Sequence, residues 1–254
     1  MNSIDLELTR ITQDQHKSNA SGYLKNVENR ILILKKLKSV IQKYENEIIE
    51  ALHTDLGKSK FESYTSEIGI VQHEITTTLK NIHQWSKAKS WISPLLIFPS
   101  VSQIHYQAYG KVLIIAPWNY PFQLLFNPLV SAIAAGNSVL LKPSELAPET
   151  SKISGKIPRE TFTVDIVGLI EGDGSEIVPK CIEIYKPNLI FFTGSTMVGK
   201  KIAEIAAKSL TTCVLELGGK SPCIVDSLAD KETVVKRILL GKLLNSGQTC
   251  VAPD

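Results

Sequence analysis

At Lys111 the hydrophobic pattern changes its period, and that change limits the chain to an α/β architecture. Downstream, short apolar runs alternate with helical stretches. The run 111–116 is closed by Pro117, a helix is expected over 122–135 up to Gly136, and a strand over 138–141 is stopped by Pro143. Proline ends a ladder because it has no N–H to donate. Further strands are expected at 163–169, 189–192 and 213–217, with helices over 197–210 and 231–244. Strands that alternate with helices predict a parallel, doubly wound sheet. Upstream the period is helical throughout. Apolar residues every three or four positions from Leu24 to Leu52 predict one long amphipathic helix ended by Gly57, and a second stripe runs from Ile68 to Trp85. The stretch 93–109, with two prolines and then alternating Val101, Gln103, His105 and Gln107, reads as an extended arm.

A chain of 254 residues with 43% hydrophobic content can bury a sizeable core. Its net charge of +3 gives no reason to expect a nucleic-acid partner, and Lys35, Lys36 and Lys38 read as the solvated face of a helix. Cys181, Cys213, Cys223 and Cys250 are irregularly spaced, which fits neither a disulfide framework nor a zinc site, so no metal is expected. The start, MNSIDLELTR, lacks the apolar core of a secretory signal, and the run 91–101 contains Pro94 and Pro99 and is too short to span a bilayer. A reducing, cytoplasmic setting and no membrane segment are therefore expected. There is no internal repeat.

Chemistry-bearing residues gather at the predicted strand ends. After 189–192 the chain turns through Gly194 and Ser195 into a helix containing Gly199, whose free N–H groups suit a phosphate. Lys142 and Glu145, one turn apart, place a donor and an acceptor where they can bracket a diol. Asn119 follows the first strand in APWNYPF, beside Trp118. Glu216 stands between two leucines in LELGGKSP, where burial would raise its pKa and strengthen it as a base. Cys250 sits among small residues in LNSGQTCVAPD, open to close approach. Singly, each has a structural explanation: a turn, a surface ion pair, a backbone cap, a buried glutamate tied to a helix end, an inert thiol.

Together these motifs resemble the aldehyde dehydrogenase superfamily, closest to its class 3 and fatty-aldehyde branch, over roughly residues 23–254. The resemblance implies a helical part at 1–92, a bridging arm at 93–109 that joins a partner subunit's sheet, a Rossmann-like NAD-binding core at 110–212, and the start of a catalytic domain at 213–254. It implies that Cys250 attacks an aldehyde, that Asn119 and the Cys250 backbone N–H hold the oxyanion, and that hydride leaves to a nicotinamide. Glu216 would then activate water to release a carboxylic acid. Lys142 and Glu145 would hold the adenosine ribose, Gly194 and Ser195 the pyrophosphate, and Trp118 and Gly199 would line the cofactor site. Glu145 would repel a 2′-phosphate, which favours NAD, although NADP is used in this branch too; Met197 stands where relatives often carry a small residue. The family also expects a helix at 150–161, which Gly155 and Pro158 interrupt here.

Two other enzyme readings are weaker. A cysteine hydrolase needs a histidine base, yet all five histidines fall in the helical part or the arm. Transfer to CoA is disfavoured by the presence of Glu216. Because the family continues for about as long again beyond Cys250, the rival expectation is a catalytically silent half that keeps a nucleotide-binding fold and needs a complementing C-terminal half. The full family member is expected to be a homodimer.

Overall fold

Strand β3 (Lys111–Ile115) alternates its side chains between two cores, and the molecule is layered around it. Val112 and Ile114 face one core, and Leu113 and Ile115 the other, as the two-residue repeat of a strand requires. The computed structural model describes residues 3–254; Met1 and Asn2, at the head of the polar N-terminal stretch, lie outside the described residues. β3 is central in a five-stranded parallel sheet with β4 (Ser138–Lys142), β5 (Val167–Leu169), β6 (Leu189–Gly194) and β7 (Thr212–Leu217), in the order β5-β4-β3-β6-β7. Ile115 is level with Lys142 on one side and Phe192 on the other, so the carboxyl ends form one rim. Strand order reverses between β3 and β6. Ligands of doubly wound sheets bind in the crevice outside that reversal.

On one face, the first core packs α2 (Val27–Lys43), α3 (Glu45–Leu56), α5 (Gly69–Trp85), α6 (Gln123–Ala134) and α7 (Pro148–Thr161). On the other, α1 (Ser3–Ser21), α8 (Gly174–Lys180) and its π-turn continuation Cys181–Tyr185, and α9 (Thr196–Ala207) cover the second core. A short α4 (Lys60–Ser63) and a π turn, Tyr64–Ile68, lead into α5, and α10 (Lys231–Leu243) follows the sheet.

Several expectations are corrected. The long helix over 24–52 is broken at Tyr44, and Asn26 caps α2 by accepting from the Glu28 N–H. The apolar stripe runs on across the break, so periodicity cannot register it. Gly57, at φ 68°, ends α3 as expected. The segment 150–161 is not interrupted, because Pro158 falls in the last turn of α7 and its carbonyl still accepts from the Phe162 N–H at 2.8 Å. α1 was masked by its polar composition, yet it buries Leu8, Ile11 and Gln15. Gly168 lets it close on the sheet: a Cβ there would stand 2.8 Å from Ile11 Cγ2. The arm is a hairpin, with β1 (Lys89–Trp91) antiparallel to β2 (Ser102–Ile104) and Ile92, Leu95, Leu96 and Phe98 exposed around its tip. No described helix is long and apolar enough to cross a membrane.

Cys181, buried in the second core, has its thiol pushed up from 9.0 to about 12 by burial. A folded pKa above the unfolded one contributes stability that is fully present below about pH 9 and is lost as pH rises towards 12, at about 1.4 kcal/mol per pH unit. Cys181→Ala is expected to remove that part of the alkaline slope. At pH near 8, iodoacetamide is expected to label exposed Cys223 and Cys250 in the native chain and Cys181 only after denaturation, read by peptide mass. Equal native labelling of Cys181 would contradict its buried, protonated state.

Candidate active site

The last turn before Cys250 is built from left-handed backbone. Asn245, Ser246 and Gly247 have φ of 51°, 53° and 80°, a conformation that only glycine adopts freely and that asparagine tolerates. What holds them is contact with the chain after β3. The Asn119 Nδ2 donates to the Gln248 carbonyl at 2.7 Å, Asn245 Nδ2 donates to the Asn119 carbonyl at 2.8 Å, and the Tyr120 hydroxyl lies 2.6 Å from Thr249 Oγ1. Residues 129 apart in sequence are thereby brought together, with Cys250 exposed at the end of the loop.

Lys142, at the end of β4, keeps only 2% of its side chain exposed and pairs with Glu145, which is 38% exposed, so the ion pair is half-buried, with its ammonium on the inside. Glu145 Oε1 also accepts from the Gly174 N–H at 3.0 Å. Burial pushes the Glu145 carboxyl up, but Lys142 and the backbone N–H groups outweigh it and hold the group below its ordinary value. At the end of β6, Ser195 caps α9, its Oγ accepting from the Val198 N–H at 3.3 Å. Thr193 Oγ1, one residue before Gly194, is buried without a hydrogen-bond partner among the described residues. A Cβ on Gly194 would lie 2.5 Å from Phe192 Cζ, and one on Gly199 would lie 2.7 Å from Leu217 Cδ2. Gly199 is buried in helix-to-strand packing, whereas Trp118 and Met197 are exposed beyond the ends of β3 and β6.

Glu216 corrects an expectation: its side chain is exposed, not buried. β7 pairs only with β6, and nearly all of the irregular stretch 218–230 after it is exposed, so nothing described covers the carboxylate. A cavity of about 890 Å³ is no guide to the site, since it lies at the amino ends of β3 and β4 among Arg30, Trp85 and Tyr109.

Sequence reasoning missed Lys58 and Glu67. Their side chains are 1% and 0% exposed, and they form an ion pair directly behind the Asn119 loop. Lys58 Nζ also donates to the Asn119 carbonyl at 3.2 Å and stands 4.2 Å from the Tyr120 ring centroid. Glu67 Oε2 accepts from the Phe122 and Gln123 N–H groups at 3.0 and 2.9 Å. Burial pushes the Glu67 carboxyl up, and Lys58 and the two N–H groups oppose that push. One signal was available: Glu67 is in phase with buried Val71 and Ile75, an acid on the apolar stripe, and buried charges are normally paired.

The parallel order and the reversal between β3 and β6 define a doubly wound α/β fold, with the capped α9 and the buried Lys142 at the rim of its crevice. At the mouth of its crevice an exposed thiol stands on a loop bonded to an amide donor. Comparison with known proteins gives the family: the pattern of the aldehyde dehydrogenase family matches residues 16–254, and the chain belongs to that family. It is 47% identical over 230 residues to a 4,4'-diaponeurosporen-aldehyde dehydrogenase of Staphylococcus aureus, covering 91% of this chain and 50% of the relative. It is 41% identical over 249 residues to aldehyde dehydrogenase family 3 member A2 of Macaca fascicularis, covering 97% of this chain and 50% of the relative. These matches place it in the class 3 branch. The solved substrate-bound state of Staphylococcus aureus AldH superposes with a TM-score of 0.95 at 43% identity, covering 100% of this chain and 54% of that one. The chain thus spans about half the length of the curated relatives it matches.

Proposed function

We propose that this chain carries the cofactor site and the nucleophile of an NAD(P)-dependent aldehyde oxidation that yields a carboxylic acid. The observation that carries this is the Asn119 amide, held by its 2.7 Å bond to Gln248 within the turn that ends in Cys250. An asparagine amide has two hydrogens. One is committed to the Gln248 carbonyl, and the other has no partner among the described residues. When the Cys250 sulfur adds to an aldehyde carbon, the new oxyanion accepts from Asn119 and from the Cys250 N–H, donors fixed before the charge develops. Loss of hydride from that adduct leaves a thioester on sulfur. Glu216 takes a proton from the water that hydrolyses it, which frees the acid and the thiolate.

The residues at the rim fit a dinucleotide. Lys142 and Glu145 are placed to hold a ribose diol, and the α9 N-terminus with Gly194, Ser195 and the unpaired Thr193 hydroxyl receives the diphosphate. Bound there, the dinucleotide supplies the hydride acceptor. Glu145, held ionised, opposes a 2′-phosphate and so favours NAD over NADP. By family, the substrates are aliphatic or aromatic aldehydes. The apolar arm 93–109 is proposed to join the sheet of a second subunit, since an exposed hairpin edge is a liability unless covered.

A second reading has its own observation. α10 has no buried residue, and Ile224, Leu228 and Leu240 are exposed with Glu216. Polypeptide outside these 254 residues is proposed to cover that surface and complete the substrate side of the site. NADH formation from NAD and a simple aliphatic aldehyde, by the chain alone and with such a complement added, tests both readings. Under the condition that turns over, Asn119→Ala is expected to lower kcat about 10²–10³-fold, the cost of one oxyanion donor. An unchanged kcat would remove Asn119 from that role.

A further inference from the structure

Resting on the reading of Asn119 as the oxyanion donor, we propose that Lys58 and Glu67 are positioning residues whose buried pair sets the Asn119 loop against the Cys250 loop. The pair lies behind the loop, not in the crevice. Two side chains hold four consecutive-segment groups: Lys58 the Asn119 carbonyl and the Tyr120 ring, Glu67 the N–H groups of Phe122 and Gln123. The latter are among the first N–H groups of α6, which have no intrahelical partner. Residues 119–123 are therefore pinned at both ends, with the Asn119 side chain left free to face Gln248.

The same pedestal carries the thiol loop. Asn245 Nδ2 shares the Asn119 carbonyl with Lys58, and Glu62 Oε1, on α4, accepts from the Asn245 N–H at 2.8 Å. Donor and nucleophile thus hang from one stretch, residues 58–67. Glu67 lies in the π turn Tyr64–Ile68, whose extra residue re-aims a side chain and often marks a functional position. Stability alone would not require the charges, because a well-packed apolar pair of similar volume is often as stable as a buried ion pair. Placement does require them, since no apolar side chain can accept from two N–H groups or donate to a carbonyl.

The test is the double variant Lys58→Met with Glu67→Leu, which leaves no charge buried alone. The reading is the side-chain amide of Asn119 in the full chain labelled with heavy-nitrogen asparagine, assigned by its loss in Asn119→Ala. In the parent this amide is expected to be resolved and protected from exchange. In the double variant it is expected to move to the position of a solvated asparagine, with protection reduced at least about tenfold. The thermal midpoint should fall by no more than the cost of the Phe122 and Gln123 N–H groups left without an acceptor, and the affinity for NAD, read by titration, should stay within about twofold, because the Lys142–Glu145 side of the crevice does not touch the pair. Where turnover is measurable, kcat should fall about 10²-fold with the KM for NAD unchanged, the signature of a misplaced group rather than a lost site. If the double variant does not fold, Lys58→Met with Glu67→Gln carries the same amide reading, since it buries no charge and keeps an acceptor for the Phe122 and Gln123 N–H groups but removes the ammonium that holds the Asn119 carbonyl. An Asn119 amide unchanged in a folded variant would overturn the proposal. Absence of turnover in the parent would count against the proposed function alone, and the amide signal would still decide the positioning role.

Discussion

Cys250→Ser is expected to reduce NADH formation by about 10⁴-fold or more while leaving the fold and NAD binding in place. Serine is nearly the same size, and Cys250 is exposed, so no packing is lost. The chemistry changes instead. A hydroxyl is a far weaker nucleophile than a thiol unless a neighbouring base takes its proton, and no histidine lies in the loop or in the Asn119 segment. Removal of the attacking atom stops every later step, which is why nucleophile losses are among the largest single effects in enzymes. Cys223→Ser, also exposed, is the matched control and is expected to keep the parent rate. Aldehyde-dependent NADH absorbance, read beside thermal midpoints and NAD titrations for both variants, separates lost chemistry from lost fold. Turnover that survives Cys250→Ser would remove the thiol from the mechanism.

The largest expected effect on stability comes from breaking the pair beneath that loop on one side only. Lys58→Met leaves the Glu67 carboxylate without its ammonium in a fully buried position, and about 3–5 kcal/mol of stability should be lost. Domains are commonly stable by only about 5–15 kcal/mol, so the single variant should melt far below the parent or fail to accumulate. The companion change Glu67→Leu removes the stranded charge and is expected to restore part of the loss, the rest being the cost of the Phe122 and Gln123 N–H groups left without their acceptor. Urea unfolding followed by circular dichroism measures both. A single variant as stable as the parent would mean that the two side chains are not buried as a pair.

The sheet was legible for a physical reason. Strands covered on both faces, such as 111–115 and 138–142, appear as unbroken apolar runs, and Pro117, Pro143 and Gly194 mark where they stop. Lys142, Gly194 and Asn119, at or just past those strand ends, were legible with them as residues of the sheet's rim. Features that depend on pieces distant in sequence were not. The break at Tyr44 leaves the apolar stripe in phase, and α1 hides its three buried side chains in a polar helix. Pro158 disguises a helix that ends only a few residues later. Glu216 sits between leucines, which suggested burial, but neighbours along the chain do not decide what covers a strand end. Lys58 and Glu67 carry no motif at all. Their role exists only once residues 119–123 are folded against them.

The three left-handed residues before the thiol give the site one more property. Glycine at 247 takes its conformation without penalty, but a serine at φ 53° does not, and of order 1–3 kcal/mol works against the folded loop at Ser246. The loop is therefore kept in shape from outside, by Asn119, Tyr120 and Glu62, and not by its own backbone preference. A thiol mounted this way is a sprung latch: once its outside holds are removed, the turn at 245–247 is expected to relax and to carry Cys250 away from Asn119 while the sheet stays in place.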